Sequence, residues 1–303
     1  MASESPFAAD ELVAPRVSVL VACYRHAPFL EACLESVRRQ EGVSFEILAR
    51  DDGSDDGTAE LLERLASLYG VDVVRGGGNL GVAESQNRML AHARGEFVVD
   101  FASDDIMPPG RLRAQVEWLD AHPTAPACTG QCRRMDAEGH VDADPDERFL
   151  SSIPQAGFDD ILLGSKELHG ATGMVRTALL RELGGWDGSL AVEDLPLWLA
   201  LARRHGPIGV IPQVCVHWRQ HGTNSHRRFD RVYGATLKAL DAHRDHPQHA
   251  RAVRLWRTRW WSAVAGERPL EALRRIPELG SWSLEFLRRL PKPLLVLAGR
   301  RFP

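Results

Sequence analysis

The feature that most constrains the fold is the alternation of short apolar runs with helix-forming segments in the first 120 residues. The run VSVLVAC at residues 17–23 is continuous and rich in β-branched side chains, which is typical of a strand buried on both faces. Further strands are predicted at residues 45–49, 71–75 and 96–102, and helices at residues 29–37, 58–69, 82–94 and 110–122. This order predicts an α/β fold with a mainly parallel sheet flanked by helices, whose ligands bind beyond the carboxyl ends of the strands.

The rest of the chain predicts a smaller helical annex after the sheet. A helix is expected at residues 195–204, short strands at 208–211 and 214–219, and an irregular loop at 142–157, which is rich in Asp, Pro and Ser. Residues 227–303 have a helical pattern and hold 17 Lys+Arg against 7 Asp+Glu. We therefore expect an α/β domain over residues 14–225 and a basic helical C-terminal region over residues 226–303.

Composition excludes several classes of protein. An apolar content of 44% with 26% charged residues is ordinary for a globular chain. No run approaches the roughly 20 apolar residues that span a bilayer, and the acidic N-terminus lacks the pattern of a signal peptide, so a cytoplasmic protein is expected. The five cysteines include no CxxC pair, which argues against a disulfide framework and against a structural zinc site.

Acidic residues follow two of the predicted strands. Asp51 and Asp52 follow the second strand, where an Asp/Gly turn that leads into a helix capped by Thr58 is the simpler explanation. A carboxylate at this place can also accept a hydrogen bond from the N3–H of uracil or thymine, which would give Asp52 a base-reading role. Asp104 and Asp105 follow the fourth strand, and their mutual repulsion suggests an oxygen-liganded divalent ion, with a solvated acidic turn as the alternative.

A third acidic pair, Glu193 and Asp194, precedes a predicted amphipathic helix. Helix capping is one explanation for such a pair. The other is general-base catalysis, because a carboxylate in a partly desolvated cleft can take a proton from an attacking hydroxyl.

Five segments, taken together, resemble the family 2 glycosyltransferases of the GT-A fold in order and spacing. The resemblance covers roughly residues 16–225 and is carried by VSVLVACY, FEILARDDGSDDGT, NLGVAESQNRMLAHARGE, SDD and GGWDGSLAVEDLPLW. It implies an inverting transfer of a sugar from a nucleotide diphosphate donor, with UDP or dTDP favoured, and a Mn²⁺ or Mg²⁺ cofactor. The implied acceptor is a hydroxyl of a cell-surface glycan or of a polyprenyl-linked precursor.

The resemblance also implies roles for particular residues. Asp194 is the expected catalytic base, and Asp105 and His221 are the expected metal ligands, with Asp104 on the ribose or on a metal-bound water. The remaining nucleotide-sugar contacts fall on Ala22, Tyr24, Asp52, Asn87 and Arg219, the last as a charge partner of the diphosphate. The acceptor cleft would be bordered by His169, Glu193 and Trp186. Two positions depart from the family pattern, because many relatives have Asp at the place of Ala102 and an apolar residue at that of Arg50.

The basic C-terminal region allows two interpretations. Val253, Trp256, Trp260 and Val264 form one helical stripe, with Arg251, Arg254 and Arg257 elsewhere on the helix. Arginine with interfacial tryptophan is typical of a helix on an anionic membrane, which would suit a lipid-linked acceptor at the inner face of the plasma membrane. Alternatively, the tryptophans pack against the core. Nucleic acid is not expected as a partner, because the rest of the chain is acidic.

Two other functions compete with glycosyl transfer. Residues 76–81 satisfy GxGxxG and are followed by Asp100, which imitates the fingerprint of an NAD-dependent oxidoreductase. That fingerprint normally follows the first strand of its sheet, whereas two strand–helix units precede it here. The second competitor is a non-catalytic nucleotide-sugar or glycan-binding protein with the same fold.

Overall fold

A computed structural model describes residues 14–147, 154–165, 167–222, 229–279 and 284–289. The strands of the described residues are β1 Val17–Cys23, β2 Phe45–Asp51, β3 Val71–Val73, β4 Phe97–Ala102, β5 Ala127–Met135, β6 Gln155–Ala156, β7 Met174–Arg176 and β8 Ile208–Arg219. The α-helices are α1 Ala27–Arg38, α2 Thr58–Tyr69, α3 Val82–His92, α4 Arg111–Ala121, α5 Phe158–Leu162, α6 Thr177–Glu182, α7 Asp194–His205, α8 Phe229–Asp241, α9 His249–Glu267, α10 Pro269–Arg274 and α11 Leu284–Arg289. The predicted α/β class with a C-terminal helical extension is confirmed.

The strands form one sheet in the order β3-β2-β1-β4-β7-β5-β8-β6. The strands β3, β2, β1 and β4 run parallel, while β7 is antiparallel to both β4 and β5. Because Val17 pairs with both Phe45 and Phe97, strands β1, β2 and β4 start and end level with one another. The loops that follow these three strands therefore emerge side by side at one edge of the sheet.

Alternating side chains of the central strands enter two apolar cores, one on each face of the sheet. Val17, Val19 and Val21 pack with α1, α2 and α4 in the first core. Leu20 and Leu48 point to the opposite face and pack with α3, α6 and α7. This double burial explains why the strands of the sequence are continuous apolar runs.

Two of the predicted boundaries are changed by the structure. Residues 208–219, predicted as two strands, form the single strand β8, whose pairing with β5 shifts register between Thr129 and Cys132. Pro212 lacks an N–H to donate, and the irregular pairing accommodates it within one strand. Part of the loop predicted at residues 142–157 makes defined contacts. Asp146 is buried and accepts a hydrogen bond from Arg134 Nε (2.7 Å), and residues 155–156 form strand β6 of the sheet. Residues 148–153 lie outside the described part.

The tryptophans of α9 pack inside the protein. Trp256 Nε1 donates to the carbonyl of Leu162 (2.9 Å), and the ring of Trp260 stacks on Tyr233 with centroids 4.4 Å apart. Trp261 is fully buried and donates to the carbonyl of Ala272 (2.8 Å). Trp260 and Val264 are therefore withdrawn from a lipid surface and Val253 and Trp256 are half-buried, while Arg251 and Arg254 are exposed. None of the described helices is both long and apolar enough to cross a membrane.

Candidate active site

The loops after β1, β2 and β4 are tied to one another at the edge of the sheet. The backbone N–H of Asp52 donates to the carbonyl of Cys23 (2.8 Å), and that of His26 donates to Thr58 Oγ1 (3.0 Å). The turn that carries Asp104 and Asp105 is joined to β8, because Ile106 and His217 exchange two backbone hydrogen bonds. These contacts gather acidic and imidazole side chains from separate parts of the chain.

Asp52 closes the glycine-rich loop onto the end of β2. Its Oδ1 accepts hydrogen bonds from the backbone N–H of Leu80 (2.8 Å), from Arg50 Nη1 (2.7 Å) and from Ser85 Oγ (2.9 Å), and its Oδ2 accepts one from the N–H of Gly81 (2.8 Å). Burial opposes the charge, but these hydrogen bonds outweigh it and lower the pKa of Asp52. A base N3–H would therefore have to share an oxygen with donors of the protein itself.

The contacts of Arg50 explain why a charged residue stands at a position that is apolar in many relatives. The side chain is 1% exposed, and its Nη2 donates to the carbonyls of Gly76 (2.7 Å) and Gly78 (3.1 Å) while its Nη1 contacts Asp52. The guanidinium thus binds the carbonyls of the glycine-rich loop, and Asp52 binds its amides. The signal in the sequence was a charged residue at the end of the predicted strand, at a position that is apolar in many relatives.

Ala22 and Tyr24 lie at the carboxyl end of β1, as predicted. Ala22 is half-buried and pairs with Arg50 on one side and Ala102 on the other. The Tyr24 ring is 40% exposed and has the Arg25 guanidinium 5.4 Å from its centroid, where Asp55 holds it by an ion pair of 2.6 Å. An exposed aromatic ring beside a strand end is a suitable platform for a nucleoside.

Two histidines and one aspartate form the metal-binding candidate of the described residues. His221 Nε2 lies 2.8 Å from Asp104 Oδ2, and His26 Nε2 lies 3.7 Å from the same oxygen. One ligand atom from each of the three residues lies within 4.8 Å of the other two. Burial opposes the charge of Asp104, but the His221 hydrogen bond and the two imidazoles lower the pKa of its carboxyl. His26 was missed from the sequence, because it belongs to none of the motifs.

Asp105 is turned away from this cluster. It is 2% exposed, and its Oδ1 accepts a hydrogen bond from the backbone N–H of Arg219 (2.8 Å). Burial and the neighbouring charge of Asp104 raise the pKa of its carboxyl well above the usual value. The geometry favours Asp104 as the metal ligand, the reverse of the preference from the sequence, because Asp105 is committed to the backbone of β8.

The Arg219 guanidinium also holds the scaffold rather than lining an open surface. It is 5% exposed, and it donates to the carbonyls of Asp104 (2.7 Å), Asp136 (3.3 Å) and Ala137 (2.9 Å). Its Cζ lies 4.7 Å from the centroid of the Phe29 ring. The predicted contact with a diphosphate requires an accessible guanidinium, so this geometry argues against it.

Asn87 and Trp186 are joined to each other. Asn87 Nδ2 donates to the Trp186 carbonyl (2.8 Å), and Asn87 Oδ1 accepts from the Trp186 N–H (2.9 Å). The Trp186 side chain is 5% exposed and packs in the second core. Both residues therefore fix the turn before α7 onto α3, and their roles in binding donor and acceptor stay predictions.

Asp194 is the first residue of α7, shortly after the turn that contains Trp186. Its Oδ1 accepts a hydrogen bond from the Leu195 N–H (2.7 Å), and a Cβ placed on Gly170 would lie only 3.0 Å from the Cβ of Asp194. The neighbouring His169 packs edge-on against Trp218, with centroids 4.8 Å apart, and Trp218 directly precedes Arg219. This chain of contacts connects the Asp194 carboxylate with the turn of Asp104 and Asp105.

Burial raises the pKa of three carboxyl groups around α7. The pKa of Asp194 is raised by burial, that of Glu193 rises to about 8 through burial and the charges of Asp194 and Asp100, and that of Asp100 rises to about 6. Asp100 lies on β4 and faces the second core, where Gln86 of α3 contacts it. Asp100 was interpreted only as part of a false dinucleotide fingerprint, although an acidic residue inside an apolar strand is itself a signal. Carboxyl groups with raised pKa values are typical of acid–base sites.

The Asp100 carboxyl should make the stability of the protein depend on pH. Because its folded pKa of about 6 exceeds the ordinary 3.8, protonation favours the folded state, and the stabilisation is lost as pH rises from about 4 to about 6. The variant Asp100→Asn removes this titration. We expect its unfolding free energy, relative to the wild type, to improve by up to about 3 kcal/mol between pH 4 and pH 7.5 in urea titrations. Parallel pH profiles for the two proteins would contradict the assignment.

The topology removes the dinucleotide interpretation of residues 76–81. This loop follows β3, which is the edge strand of the sheet, whereas a dinucleotide fingerprint follows the central first strand. The carbonyls of Gly76 and Gly78 face Arg50, and Asp52 occupies the amides of Leu80 and Gly81. The amides of this loop at Leu80 and Gly81, which could bind a pyrophosphate, are thus hydrogen-bonded to a side chain of the protein.

Comparisons with known proteins agree with this geometry. The family model described as glycosyl transferase family 2 matches residues 18–184, more than half of the chain. EpsE of Bacillus subtilis, named as a glycosyltransferase, is 30% identical over 190 residues, which cover 61% of this chain and 66% of EpsE. TuaG of the same organism, named as a teichuronic acid biosynthesis glycosyltransferase, is 26% identical over 194 residues, or 63% of this chain and 73% of TuaG.

Two solved structures share the fold at low sequence identity. Residues 1–349 of S. aureus TarS, in complex with UDP-GlcNAc, give a TM-score of 0.58 at 17% identity and cover 95% of this chain and 93% of that one. The mannosyltransferase PcManGT from Pyrobaculum calidifontis, in complex with GDP-Man and Mn²⁺, gives 0.60 at 20% identity, with 96% and 89% covered. The match of the family model shows that the chain belongs to glycosyl transferase family 2, the relatives named as glycosyltransferases agree with that, and the two solved structures show that it shares their fold.

Proposed function

We propose that this protein is an inverting glycosyltransferase that uses a divalent cation and a nucleoside diphosphate sugar to glycosylate a hydroxyl group. The observation that carries the proposal is the chain of contacts through Gly170, His169 and Trp218 that connects two groups. One is the cluster of His26, Asp104 and His221, and the other is the half-buried carboxylate Asp194 with its raised pKa. A diphosphate held by the first group and a proton acceptor in the second are the two requirements of such a transfer.

The donor nucleotide lies at the ends of β1 and β2 in this proposal. Tyr24 offers an exposed ring, and Ala22 leaves space beside it at the strand end. Arg50 and Asp52 hold the glycine-rich loop in place beside the proposed nucleotide site. The solved relatives bind UDP, UDP-GlcNAc and GDP-Man, and we favour UDP or dTDP for this chain.

The transfer step then needs one proton acceptor and one charged cluster. Asp194 accepts the proton of the acceptor hydroxyl while its oxygen attacks the anomeric carbon from the face opposite the diphosphate, which inverts that carbon. The cation, when bound, neutralises the charge of the departing diphosphate. Glu193, with a pKa of about 8, stays protonated at neutral pH and can donate a hydrogen bond beside Asp194.

The acceptor and the location are inferred from relatives and from chemistry. The matched proteins include one named for teichuronic acid biosynthesis and one named as a poly-β-1,6-N-acetyl-D-glucosamine synthase. The acceptor proposed here is accordingly a hydroxyl of a cell-surface polysaccharide or of its polyprenyl-linked precursor, reached at the cytoplasmic face of the plasma membrane. Residues 14–225 supply the chemistry, and the region from residue 226 supports it through packing such as that of Trp256 on α5.

The proposal predicts release of nucleoside diphosphate that requires both a cation and an acceptor. A thermal-shift panel of UDP-, dTDP- and GDP-sugars with and without Mn²⁺ identifies the donor, and diphosphate release is then followed with polyprenyl-linked and free glycan acceptors. We expect release to increase with acceptor and to stop when EDTA removes the cation. Binding of a donor without acceptor-dependent release from any acceptor would instead indicate the non-catalytic alternative.

A further inference from the structure

We propose that His26 is a third protein ligand of the cation, so that two imidazoles and one carboxylate hold it and select transition-metal ions over Mg²⁺. The inference rests on the proposed function, because it concerns the cation of that same site. It goes beyond the acidic pair of Asp104 and Asp105, which offers only oxygen ligands.

The His26 ring is oriented as a metal ligand is. Its Nδ1 lies 2.8 Å from Ser103 Oγ, which leaves Nε2 directed toward Asp104. Histidine ligands of metals commonly hydrogen-bond through the second ring nitrogen, which fixes the tautomer and the direction of the ring. The backbone of His26 is also held, since its N–H donates to Thr58 Oγ1.

The distances of the two imidazole nitrogens from Asp104 Oδ2 are compatible with a single ion. Nitrogen and oxygen ligands that lie about 2.0–2.2 Å from one ion are about 3.0–3.6 Å apart when they occupy adjacent positions. His26 Nε2 lies 3.7 Å from Asp104 Oδ2, which is too far for a hydrogen bond and close to this spacing. His221 Nε2 lies 2.8 Å from the same oxygen, a hydrogen bond that an ion bound between the two atoms would replace.

Neighbouring rings restrict both imidazoles. The rings of His26 and His221 are perpendicular with centroids 5.7 Å apart, and Phe29 contacts each of them at 6.2 and 5.1 Å. The side chains of His26, His221 and Asp104 are 19%, 9% and 8% exposed, so the cluster is sheltered but open on the side of His26. A ligand set held in this way needs little reorganisation to accept an ion and still leaves coordination positions for phosphate oxygens.

The donor atoms determine which ions are preferred. Mg²⁺ favours oxygen ligands, whereas imidazole suits borderline ions, and affinity normally rises from Mn²⁺ through Co²⁺. With two nitrogens and one oxygen, we expect Co²⁺ and Mn²⁺ to bind the nucleotide-free protein and Mg²⁺ to displace them only in large excess.

The experiment measures ion binding without turnover. The metal-free full-length protein is titrated with Co²⁺ by visible absorption and with Mn²⁺ by electron paramagnetic resonance, and Mg²⁺ is added as competitor. For His26→Gln we expect affinity for Co²⁺ and Mn²⁺ to fall by about 10- to 100-fold, with a changed Co²⁺ spectrum. His26→Asp should restore Mn²⁺ binding with a ratio shifted toward Mg²⁺, because oxygen replaces nitrogen.

Controls separate this inference from a loss of fold and from the proposed function. His122→Gln alters an exposed histidine whose Nδ1 contacts the Trp118 carbonyl, and it should leave both titrations unchanged. If His26→Gln binds Co²⁺ and Mn²⁺ as the wild type does, or if the wild type gives no Co²⁺ spectrum of nitrogen ligation, the inference is overturned. Neither outcome bears on cation-dependent diphosphate release by the wild type, which tests the proposed function separately.

Discussion

Replacing Asp194 with asparagine should lower the rate of sugar transfer by about 10³-fold while binding of the donor and the cation changes little. Asp194 Oδ1 accepts a hydrogen bond from the Leu195 N–H at 2.7 Å, and the asparagine side chain keeps an oxygen that can do the same, so the start of α7 should be preserved. What the amide cannot do is take a proton. Single-turnover transfer and nucleotide binding by calorimetry measure the two effects separately.

The pH dependence of the same pair of proteins identifies the titrating group. Burial raises the pKa of Asp194, and a base must be ionised to act, so transfer by the wild type should rise with pH until that pKa is passed. Asp194→Asn should lack this rise. Its matched control is Glu193→Gln, because a carboxyl with a pKa of about 8 is already protonated at neutral pH, and the change should be much smaller there. Transfer that survives in Asp194→Asn would show that another group is the base.

The fold could be predicted from the sequence because its signals are local. Apolar runs, helical spacing and Asp/Gly turns gave the order of strands and helices, and the level ends of β1, β2 and β4 follow from parallel pairing. The same local logic placed Asp104, His221 and Asp194 near the ends of elements. Residues 208–219 show its limit, since two short strands were predicted there and the structure has the single strand β8.

The direction of polar side chains could not be predicted, because distant partners determine it. Asn87 binds the backbone of Trp186, 99 residues away, and Arg219 binds the carbonyl of Asp104, 115 residues away. In the sequence, an asparagine or an arginine at these positions was equally compatible with a contact to a ligand and a contact within the protein. His26 was missed for the converse reason, because only the approach of β1 and β4 brings it to Ser103, 77 residues away.

Breaking the buried ion pair of Arg50 and Asp52 should strongly destabilise this edge of the sheet. Their ion pair is 2.7 Å long and almost fully buried, and removal of the guanidinium leaves the Asp52 charge with only two backbone N–H groups and the Ser85 hydroxyl as donors. We expect Arg50→Met to lower the unfolding free energy by about 3–5 kcal/mol, measured by urea denaturation. It should also weaken donor binding, because the carbonyls of Gly76 and Gly78 lose their donor and the glycine-rich loop loses its anchor.

A nearby exposed ion pair provides the control. Arg75 pairs with Glu63 just before the same loop but is 70% exposed, so Arg75→Met should cost far less than Arg50→Met. Combining Arg50→Met with Asp52→Leu should cost less than the sum of the single changes, because the second substitution removes the charge that the first leaves buried. Equal losses for Arg50→Met and Arg75→Met, or strict additivity in the double variant, would mean that the loop is held by its backbone alone and that the buried charges contribute nothing specific to it.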